Sequence, residues 1–558
     1  MENNLEIKFI DGKLFEKMMF AAINNLHENV QTVNDLNVFP IPDGDTGENM
    51  YLTLKGGVDE LRNITSEDLD EKAKALSRGM LLGARGNSGV ILSQLFYGLS
   101  LGLNGLKTAS INEFKNALHE GVKCAYKSVA EPVEGTILTV ARESVENSTS
   151  KLAHDTTPEE FFNLIFSEMK KSLENTPELL QVLKEAGVID SGGAGLLFIT
   201  EGFCKVLSGA EVKYEDDGYL SKTKSLDFSL FDENSVMEYG YCTEVLLRLQ
   251  TCKTDVVNFD VNQIIDYLNT IGDSIVAVKT ESIVKIHVHT LEPWKVLAHC
   301  QKYGEFLTTK IENMTLQHNE TEVKKEEKSI LPTVKKERRK YAIIAVVSGE
   351  GLVNTFNEMG ADYVIDGGQT NNPSSEDFLK AFDEVNADNI FVLPNNSNII
   401  LAAKQASSIY TDSNIVVIET KNVGQGYSAL SMLDYSCDDV EGITNLLYES
   451  FQEVVTGMVA RSVRTTTVNG VAIKENDYMG FTDKTMLVST ASKLLTAKEL
   501  CEKINLNEKS FMICVYGSTV NDEEKQEYMG YISNNYPSIE FYEIDGGQDI
   551  YDFILIVE

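Results

Sequence analysis

Residues 37–50 read Asn37-Val38-Phe39-Pro40-Ile41-Pro42-Asp43-Gly44-Asp45-Thr46-Gly47-Glu48-Asn49-Met50, and no regular helix or central strand can run through the middle of this stretch. Pro40 and Pro42 each fix their own φ and push the residue before them towards extended backbone. Asp43 and Asp45 flank one glycine, and a second glycine, Gly47, lets the backbone approach a partner closely. Hard cations that carry phosphates are held by one or two carboxylates plus phosphate oxygens. The stretch has that chemistry, and a helical pattern follows it.

The rest of the chain must supply a scaffold. At 558 residues it exceeds what one core can organise, so several domains are expected. The formal net charge is −36, from 49 Lys+Arg against 85 Asp+Glu. That charge lacks the basic footprint that nucleic-acid binding and polybasic membrane anchoring need, and it suits solubility or a basic partner protein. Met1 leads into Glu2-Asn3-Asn4-Leu5-Glu6-Ile7-Lys8, which predicts no signal peptide. No apolar run approaches the roughly 18 residues of a membrane span. The eight cysteines form no C-x-x-C pair, which predicts reduced thiols in a cytoplasmic protein.

Residues 1–208 read as all helix. Phe15, Met19, Ala22, Leu26, Val30 and Val33 recur at three- and four-residue steps, which predicts one amphipathic helix up to the opening stretch. A second helix is expected from near Asn49, and a third over about Asp68 to Leu82 with Thr65 or Ser66 as its cap. Three more polar loops precede helical patterns: Gly83-Ala84-Arg85-Gly86-Asn87-Ser88-Gly89, Glu134-Gly135-Thr136, and Asp190-Ser191-Gly192-Gly193-Ala194-Gly195. Thr176-Pro177 reads as a further helix start with proline at the first helical position. A glycine-rich turn opening a helix presents unpaired N–H groups and a positive dipole end, which is an anion site. Each such turn alone is usually just a cap; their number in one helical domain, together with the Asp-Gly-Asp stretch, favours anion binding.

These four motifs, in this order, resemble the kinase domain shared with the nucleotide-binding subunit of dihydroxyacetone kinases, and the whole chain resembles the bacterial fatty acid kinase catalytic subunits. The resemblance implies a barrel of about eight antiparallel helices with ATP and two Mg2+ at one end. It implies that Asp43 and Asp45 are the Mg2+ carboxylates, and that Asn37 stands where related kinases carry a further aspartate ligand. Thr46, Asn49, Ser88 and Thr136 would contact nucleotide phosphates, and Gly192 and Gly193 would belong to the last nucleotide-side loop. One departure stands out: the residue after Asp-Gly-Asp-Thr-Gly is ordinarily a small Thr and here is Glu48. It is either an extra metal ligand or an acid at a helix N-terminus, and the second reading is favoured.

Gly209 to Asp227 is a polar linker, and residues 226–315 follow a β-α-β-β-α-β pattern, which predicts a ferredoxin-like α+β middle domain. Within Lys285-Ile286-His287-Val288-His289-Thr290 the two histidines share one strand face, and Cys242 lies on a strand that can pair alongside. Two His and one Cys make a three-ligand zinc site with an open position. The other reading is an exposed strand face carrying two histidines, beside a small buried cysteine. The family carries the same motifs, which implies Zn2+ on Cys242, His287 and His289, with His287 assigned a catalytic part. His299 and Cys300 read as packing residues.

A charged linker, Glu320 to Lys340, leads into residues 341–558, where β-rich runs alternate with helical patterns. This predicts an α/β region with a largely parallel sheet, resembling the fold of the fatty-acid-binding partner protein. Asp366-Gly367-Gly368-Gln369 is echoed by Asp545-Gly546-Gly547-Gln548, which suggests two related lobes. The Leu393-Pro394-Asn395-Asn396-Ser397-Asn398 and Val423-Gly424-Gln425-Gly426 stretches read as strand ends, where open α/β sheets bind ligands. Partner docking or homodimerisation is the role expected of this region.

The function expected is ATP-dependent phosphorylation of a fatty acid carboxylate presented by a separate acyl-binding protein, giving acyl phosphate for phospholipid synthesis. A small-polyol kinase of dihydroxyacetone type is the alternative within enzymes, although no covalent substrate-holding histidine is evident. An ATP-binding scaffold without transfer is the alternative outside them.

Overall fold

Buried Phe15, Met18, Met19, Ala22, Ile23 and Leu26 fall on one side of the first helix, α1 (Gly12–Glu28), which the Asp11 side chain caps by accepting from the Leu14 N–H at 2.7 Å. The apolar period runs on into Val30 and Val33, but the single helix expected there is two. The chain breaks at Asn29, whose carboxamide donates to the Asn25 carbonyl at 2.7 Å, and restarts as α2 (Val30–Asp35). An asparagine side chain competing for backbone groups is enough to interrupt a helix. The computed structural model describes residues 9–37, 44–153, 155–210, 241–256, 259–268, 270–280, 282–313, 338–368, 371–433, 439–483 and 485–558.

A short pairing of β1 (Ile10–Asp11) with β2 (Thr108–Ala109) ties the start of α1 to a point about one hundred residues along the chain. The other helices of this region are α3 (Thr46–Arg62), α4 (Leu69–Gly83), α5 (Gly86–Gly102), α6 (Ile111–Ser128), α7 (Ile137–Thr149), α8 (Pro158–Leu179), α9 (Gln181–Ala186) and α10 (Ser191–Leu207). Among the described residues eight of these helices are long, and each long helix packs on the next; α10 returns onto α1. Phe114, Phe162 and Phe203 meet edge to face inside. Two helix starts differ from expectation. The cap before α4 is Asp68, one turn beyond Thr65, and Ser66 accepts from the Asp68 N–H at 3.2 Å. Pro177 starts no helix but lies inside the last turn of α8, where the Thr176 hydroxyl donates to the Leu173 carbonyl at 2.7 Å. The proline at a first helical position is Pro158, behind a Thr157–Glu160 capping box.

The chain packs as two compact units: Met1–Glu215 together with Arg338–Glu558 form the first, and Asp216–Glu337 the second. The second unit contains β3 (Tyr241–Leu249), α11 (Asn262–Leu268), β4 (Gly272–Thr280), β5 (Ile283–Thr290), α12 (Pro293–Cys300) and β6 (Gly304–Asn313). Its strands pair antiparallel in the order β4-β5-β3-β6, the arrangement of a ferredoxin-like unit. Alternate strand positions Val245, Leu247, Val284, Ile286 and Val288 are buried with Ile264, Leu268, Val296 and Cys300. His299 stacks on Tyr267 with ring centroids 3.7 Å apart, a packing role shared with buried Cys300.

The first unit resumes with β7 (Arg339–Val347), α13 (Glu350–Glu358), β8 (Tyr363–Asp366), α14 (Ser375–Val385), β9 (Ala387–Leu393), α15 (Ile400–Ile409) and β10 (Asn414–Val417), a parallel sheet in the order β10-β9-β7-β8. After α16 (Val423–Ser431) and α17 (Val440–Ser450) comes β11 (Val455–Arg461), then the small β12 (Thr466–Val468) and β13 (Val471–Ile473) hairpin. The second large sheet combines β11 with β14 (Tyr478–Thr482), β15 (Thr485–Thr490), β16 (Phe511–Tyr516), β17 (Glu540–Asp545) and β18 (Tyr551–Val557); α18 (Lys493–Lys503) and α19 (Asp522–Asn535) pack with it. Here the expectation of a largely parallel sheet fails. β14 and β15 pair antiparallel and β18 returns between β11 and β16, so only the β16–β17 pair described in this sheet is parallel. Each Asp-Gly-Gly-Gln echo follows a parallel strand-helix-strand unit, β7-α13-β8 and β16-α19-β17; Gln369 lies outside the described residues. The Val423 stretch opens α16 instead of ending a strand.

The face of the parallel sheet covered by α14 and α15 buries Ile344, Val346, Phe378, Phe382, Ala402 and Ala406 together with Ala84 and Val90 of the helical region. One apolar core therefore spans residues more than three hundred positions apart and joins the C-terminal region to the α4–α5 corner.

Candidate active site

Four helix starts face one cavity of about 360 Å³. α3 brings Asp45, Thr46 and Asn49; α5 brings Asn87, Ser88 and Ile91; α7 brings Thr136 and Ile137; α10 brings Asp190, Ser191 and Gly192. Asn37 joins them from the end of α2, and Val129, Val133, Leu180 and Leu183 form an apolar side. The sequence dictates these starts locally. Thr136 accepts from the Leu138 N–H at 3.4 Å, and Asp190 accepts from the Gly193 N–H at 2.6 Å. Asn34 of α2 serves α3 from outside, accepting from the Gly47 N–H at 2.7 Å. No side chain caps α5. Gly86 there has φ +56° and a side chain on it would strike the Asn49 carboxamide at 2.6 Å, so glycine alone fits this corner.

Of the residues singled out by sequence, Asn37, Asp45, Thr46, Asn49, Ser88, Thr136 and Gly192 thus come together on one cavity. Gly193 is buried beside it, held by Asp190. Asp43 lies outside the described residues. Glu48 is half-buried in the first turn of α3 and is not among the lining residues, as an acid at a helix N-terminus would be.

Asp45 is 7% exposed and accepts from the carboxamides of Asn372 and Asn49. Burial nevertheless pushes its carboxyl up to about 6, and burial does the same to Asp190, also to about 6. Among the described lining residues there are three carboxylates, Asp45, Glu131 and Asp190, and no Lys or Arg. Helix dipoles favour a polyphosphate in this cavity while the buried carboxylates oppose it, and oxygen donors at Asp45, Asn37 and Thr46 are of the hard kind that could hold Mg2+.

The sequence reading missed the wall supplied from the C-terminal region. Ser397, Asn398 and Leu401 line the same cavity, and the Asn87 carboxamide donates to Asn398 Oδ1 at 3.3 Å. Gln405 donates to the Leu81 carbonyl at 2.7 Å and accepts from Gln94 at 2.9 Å. The one signal was the Pro394–Asn398 stretch after a parallel strand; what it faces was not readable.

In the second unit, Cys242 is the register partner of His289 and Glu244 that of His287 across β3 and β5. The Cys242, His287 and His289 side chains lie outside the described residues. Among the described residues no group of three His, Cys, Asp or Glu side chains is placed to hold a metal ion.

Residues 40–205 match the family model described as the DAK2 domain. Residues 238–321 match the FakA-like fatty acid kinase middle domain, and residues 342–558 the FakA-like fatty acid kinase C-terminal domain. Protein YloV of Bacillus subtilis is 39% identical over 99% of this chain and 100% of its own length. The chain belongs to the FakA-like fatty acid kinase family. A Staphylococcus epidermidis member is 37% identical over 99% of this chain and all of its own. Among solved structures, the fatty acid kinase B3 protein of Streptococcus pneumoniae, loaded with linoleic acid, overlaps 39% of this chain and 98% of its own at 15% identity and TM-score 0.28. The domains are of kinase type, and among the described residues no helix is long and apolar enough to cross a membrane.

Proposed function

We propose that the protein transfers the γ-phosphoryl group of ATP to the carboxylate of a fatty acid held by a separate acyl-binding protein, releasing ADP and acyl phosphate. The observation that carries this reading is the convergence of four helix N-termini on a cavity containing the buried Asp45 carboxylate. Family membership supports the acceptor.

On this reading the eight long helices form the kinase barrel. The first-turn amides of α3, α5, α7 and α10, with the Thr46, Ser88, Thr136 and Ser191 hydroxyls, hold phosphate oxygens. Asp43, Asp45 and Asn37 hold Mg2+, which when bound neutralises charge on the transferring phosphoryl group. The apolar Val129–Val133 and Leu180–Leu183 side takes the base. A carboxylate acceptor is already ionised, so the chain needs no general base. A carboxylate oxygen bonds to the γ-phosphorus as the bond to the β-bridging oxygen breaks, and catalysis rests on alignment and charge stabilisation. His287, with Cys242 and His289, orients the acceptor in the middle domain.

The test is ATP turnover by the full chain with and without acyl-loaded binding protein. Consumption that requires both protein and acyl chain supports the reading. Phosphorylation of dihydroxyacetone without a partner would replace it with a polyol kinase, and ATP binding without turnover under any condition would replace it with a scaffold.

A further inference from the structure

Asn372 enters the donor site from the C-terminal region, 2% exposed, ahead of α14. Its backbone is held on several sides. The Arg85 guanidinium donates to the Asn372 carbonyl at 2.8 Å and comes within 3.8 Å of the Asp377 carboxylate. The Ser375 N–H donates to the Ala84 carbonyl at 3.2 Å, and Ser374 caps α14 in a capping box with Asp377. What can turn is the carboxamide. Its Nδ2 donates to Asp45 Oδ2, while its buried Oδ1 accepts no hydrogen bond among the described residues. A buried carbonyl oxygen left without a donor costs on the order of 1–3 kcal/mol, so this one needs a reason.

The two ends of the carboxamide suit two states of Asp45. Without a cation the carboxylate takes an N–H. With a cation on Asp45, the carbonyl oxygen is the end the cation attracts, and as a direct ligand it gains more than the N–H keeps by donating to the carboxylate. A half-turn about the last side-chain torsion exchanges the two ends with no backbone movement. Neighbouring ligands of an octahedral cation, each at about 2.0–2.1 Å, stand roughly 3 Å apart. That is close to hydrogen-bond spacing, so the exchange needs little shift.

We propose that Asn372 is a cation ligand supplied by the C-terminal region: its Oδ1 turns over to complete the coordination at Asp45 when the Mg2+–nucleotide binds. The inference rests on the donor-site reading above. It makes the catalytic centre composite, with the helices holding phosphates and the C-terminal region closing the cation site.

The experiment is calorimetric titration of metal-depleted, full-length protein with a non-hydrolysable ATP analogue, with Mg2+ and in EDTA, for wild type, Asn372→Leu and Asn372→Asp. Leucine keeps the volume and can neither donate nor ligate. Its expected effect is affinity for the Mg2+–analogue about tenfold or more weaker, with binding of the analogue in EDTA unchanged. Asn372→Asp sets two carboxylates face to face, so its unfolding midpoint in EDTA falls below wild type and Mg2+ raises it by more than it raises wild type. Wild-type Mg2+–analogue affinity in Asn372→Leu overturns the proposal. If that variant does not fold, an Asn372→Asp midpoint no more Mg2+-dependent than wild type overturns it instead. Failure of the wild type itself to bind the Mg2+–analogue refutes the donor-site reading, a separate and prior result.

Discussion

The Arg464 guanidinium donates to the Asn37 carbonyl at 2.5 Å and to the Asp35 carbonyl at 3.3 Å, reaching from the chain after β11 to the end of α2 and the residues that leave it. The Asp35 carbonyl is one of the last four of α2, which no helical N–H can reach. The contact fixes the point where the chain leaves α2 for the Asp-Gly-Asp stretch. The C-terminal region thus holds the candidate active site at two separate places, here and at the Arg85–Asn372 corner.

Arg464→Met keeps the apolar stem and removes both donors. The expected result is a KM for Mg2+–ATP raised about tenfold, equivalent to about 1.4 kcal/mol, with kcat changed much less. Arg464→Lys, a point donor without the planar fork, recovers part of the loss. Steady-state kinetics at saturating acyl-loaded partner checks this; a lowered kcat with unchanged KM would count against a positioning role.

Asp45 yields a pH prediction with a definite sign. Its carboxyl is raised from 3.8 to about 6, chiefly by burial. The folded state therefore holds the proton more tightly than the unfolded chain, so stability is greatest below about pH 4 on this account and falls as pH rises towards 6. At about 1.4 kcal/mol per unit, the charge costs on the order of 3 kcal/mol at neutral pH without metal. Asp45→Asn keeps an acceptor for Asn372 and removes the charge. It is expected to raise the unfolding midpoint in EDTA at pH 7.5 by several degrees while abolishing phosphoryl transfer. In wild type, Mg2+ competes with the proton, so apparent Mg2+ affinity falls up to tenfold per pH unit below about 6. Calorimetry in buffers of different ionisation enthalpy reads the released proton.

How much of this was legible depends on the range over which each feature is determined. Helix starts are local: Thr136, Asp190 and the glycine corner at Gly86 announce themselves within four residues, and the structure brings them to one cavity. The β-α-β-β-α-β pattern was readable because two-residue and helical periods alternate cleanly there. The break at Asn29 was hidden because its apolar period continues across it, and Pro177 misled because α8 carries it inside its last turn, where the Thr176 hydroxyl serves the carbonyl that a proline N–H cannot. The antiparallel second sheet depends on where β18 inserts. The Asn372, Asn398 and Arg464 contacts depend on docking of regions hundreds of residues apart, which no local pattern encodes.

The strand register makes the zinc assignment checkable. Cys242 stands directly opposite His289 on neighbouring antiparallel strands, and His287 is two positions before His289. Metal analysis of protein purified without chelator is expected to give about one zinc per chain for a site of this kind. Cys242→Ala, His287→Ala and His289→Ala are each expected to lose it. Their turnover with acyl-loaded partner should fall while nucleotide affinity is kept, because the donor site belongs to the other unit. Full turnover in a zinc-free variant would remove this metal from the mechanism.

Two glycines give opposite predictions for the same substitution. In the interior of α5, Gly98 lies so close to α6 that an added Cβ would stand 2.4 Å from the Glu120 carbonyl oxygen and 2.6 Å from Gly121 Cα. Those are backbone atoms and cannot rotate away, so Gly98→Ala must push the helices apart. The expected loss is about 1–3 kcal/mol, net of the better helix propensity of alanine. Gly530, in the interior of α19, has nothing within 4 Å of the same position. There only propensity acts, and Gly530→Ala is expected to stabilise by about 0.5–1 kcal/mol. Denaturant unfolding of both variants compares them under one condition. Because the unit joins helices to the C-terminal region, one shared transition should move down for the first and up for the second. Two transitions, of which each variant moves a different one, would show instead that the helical and α/β regions unfold independently.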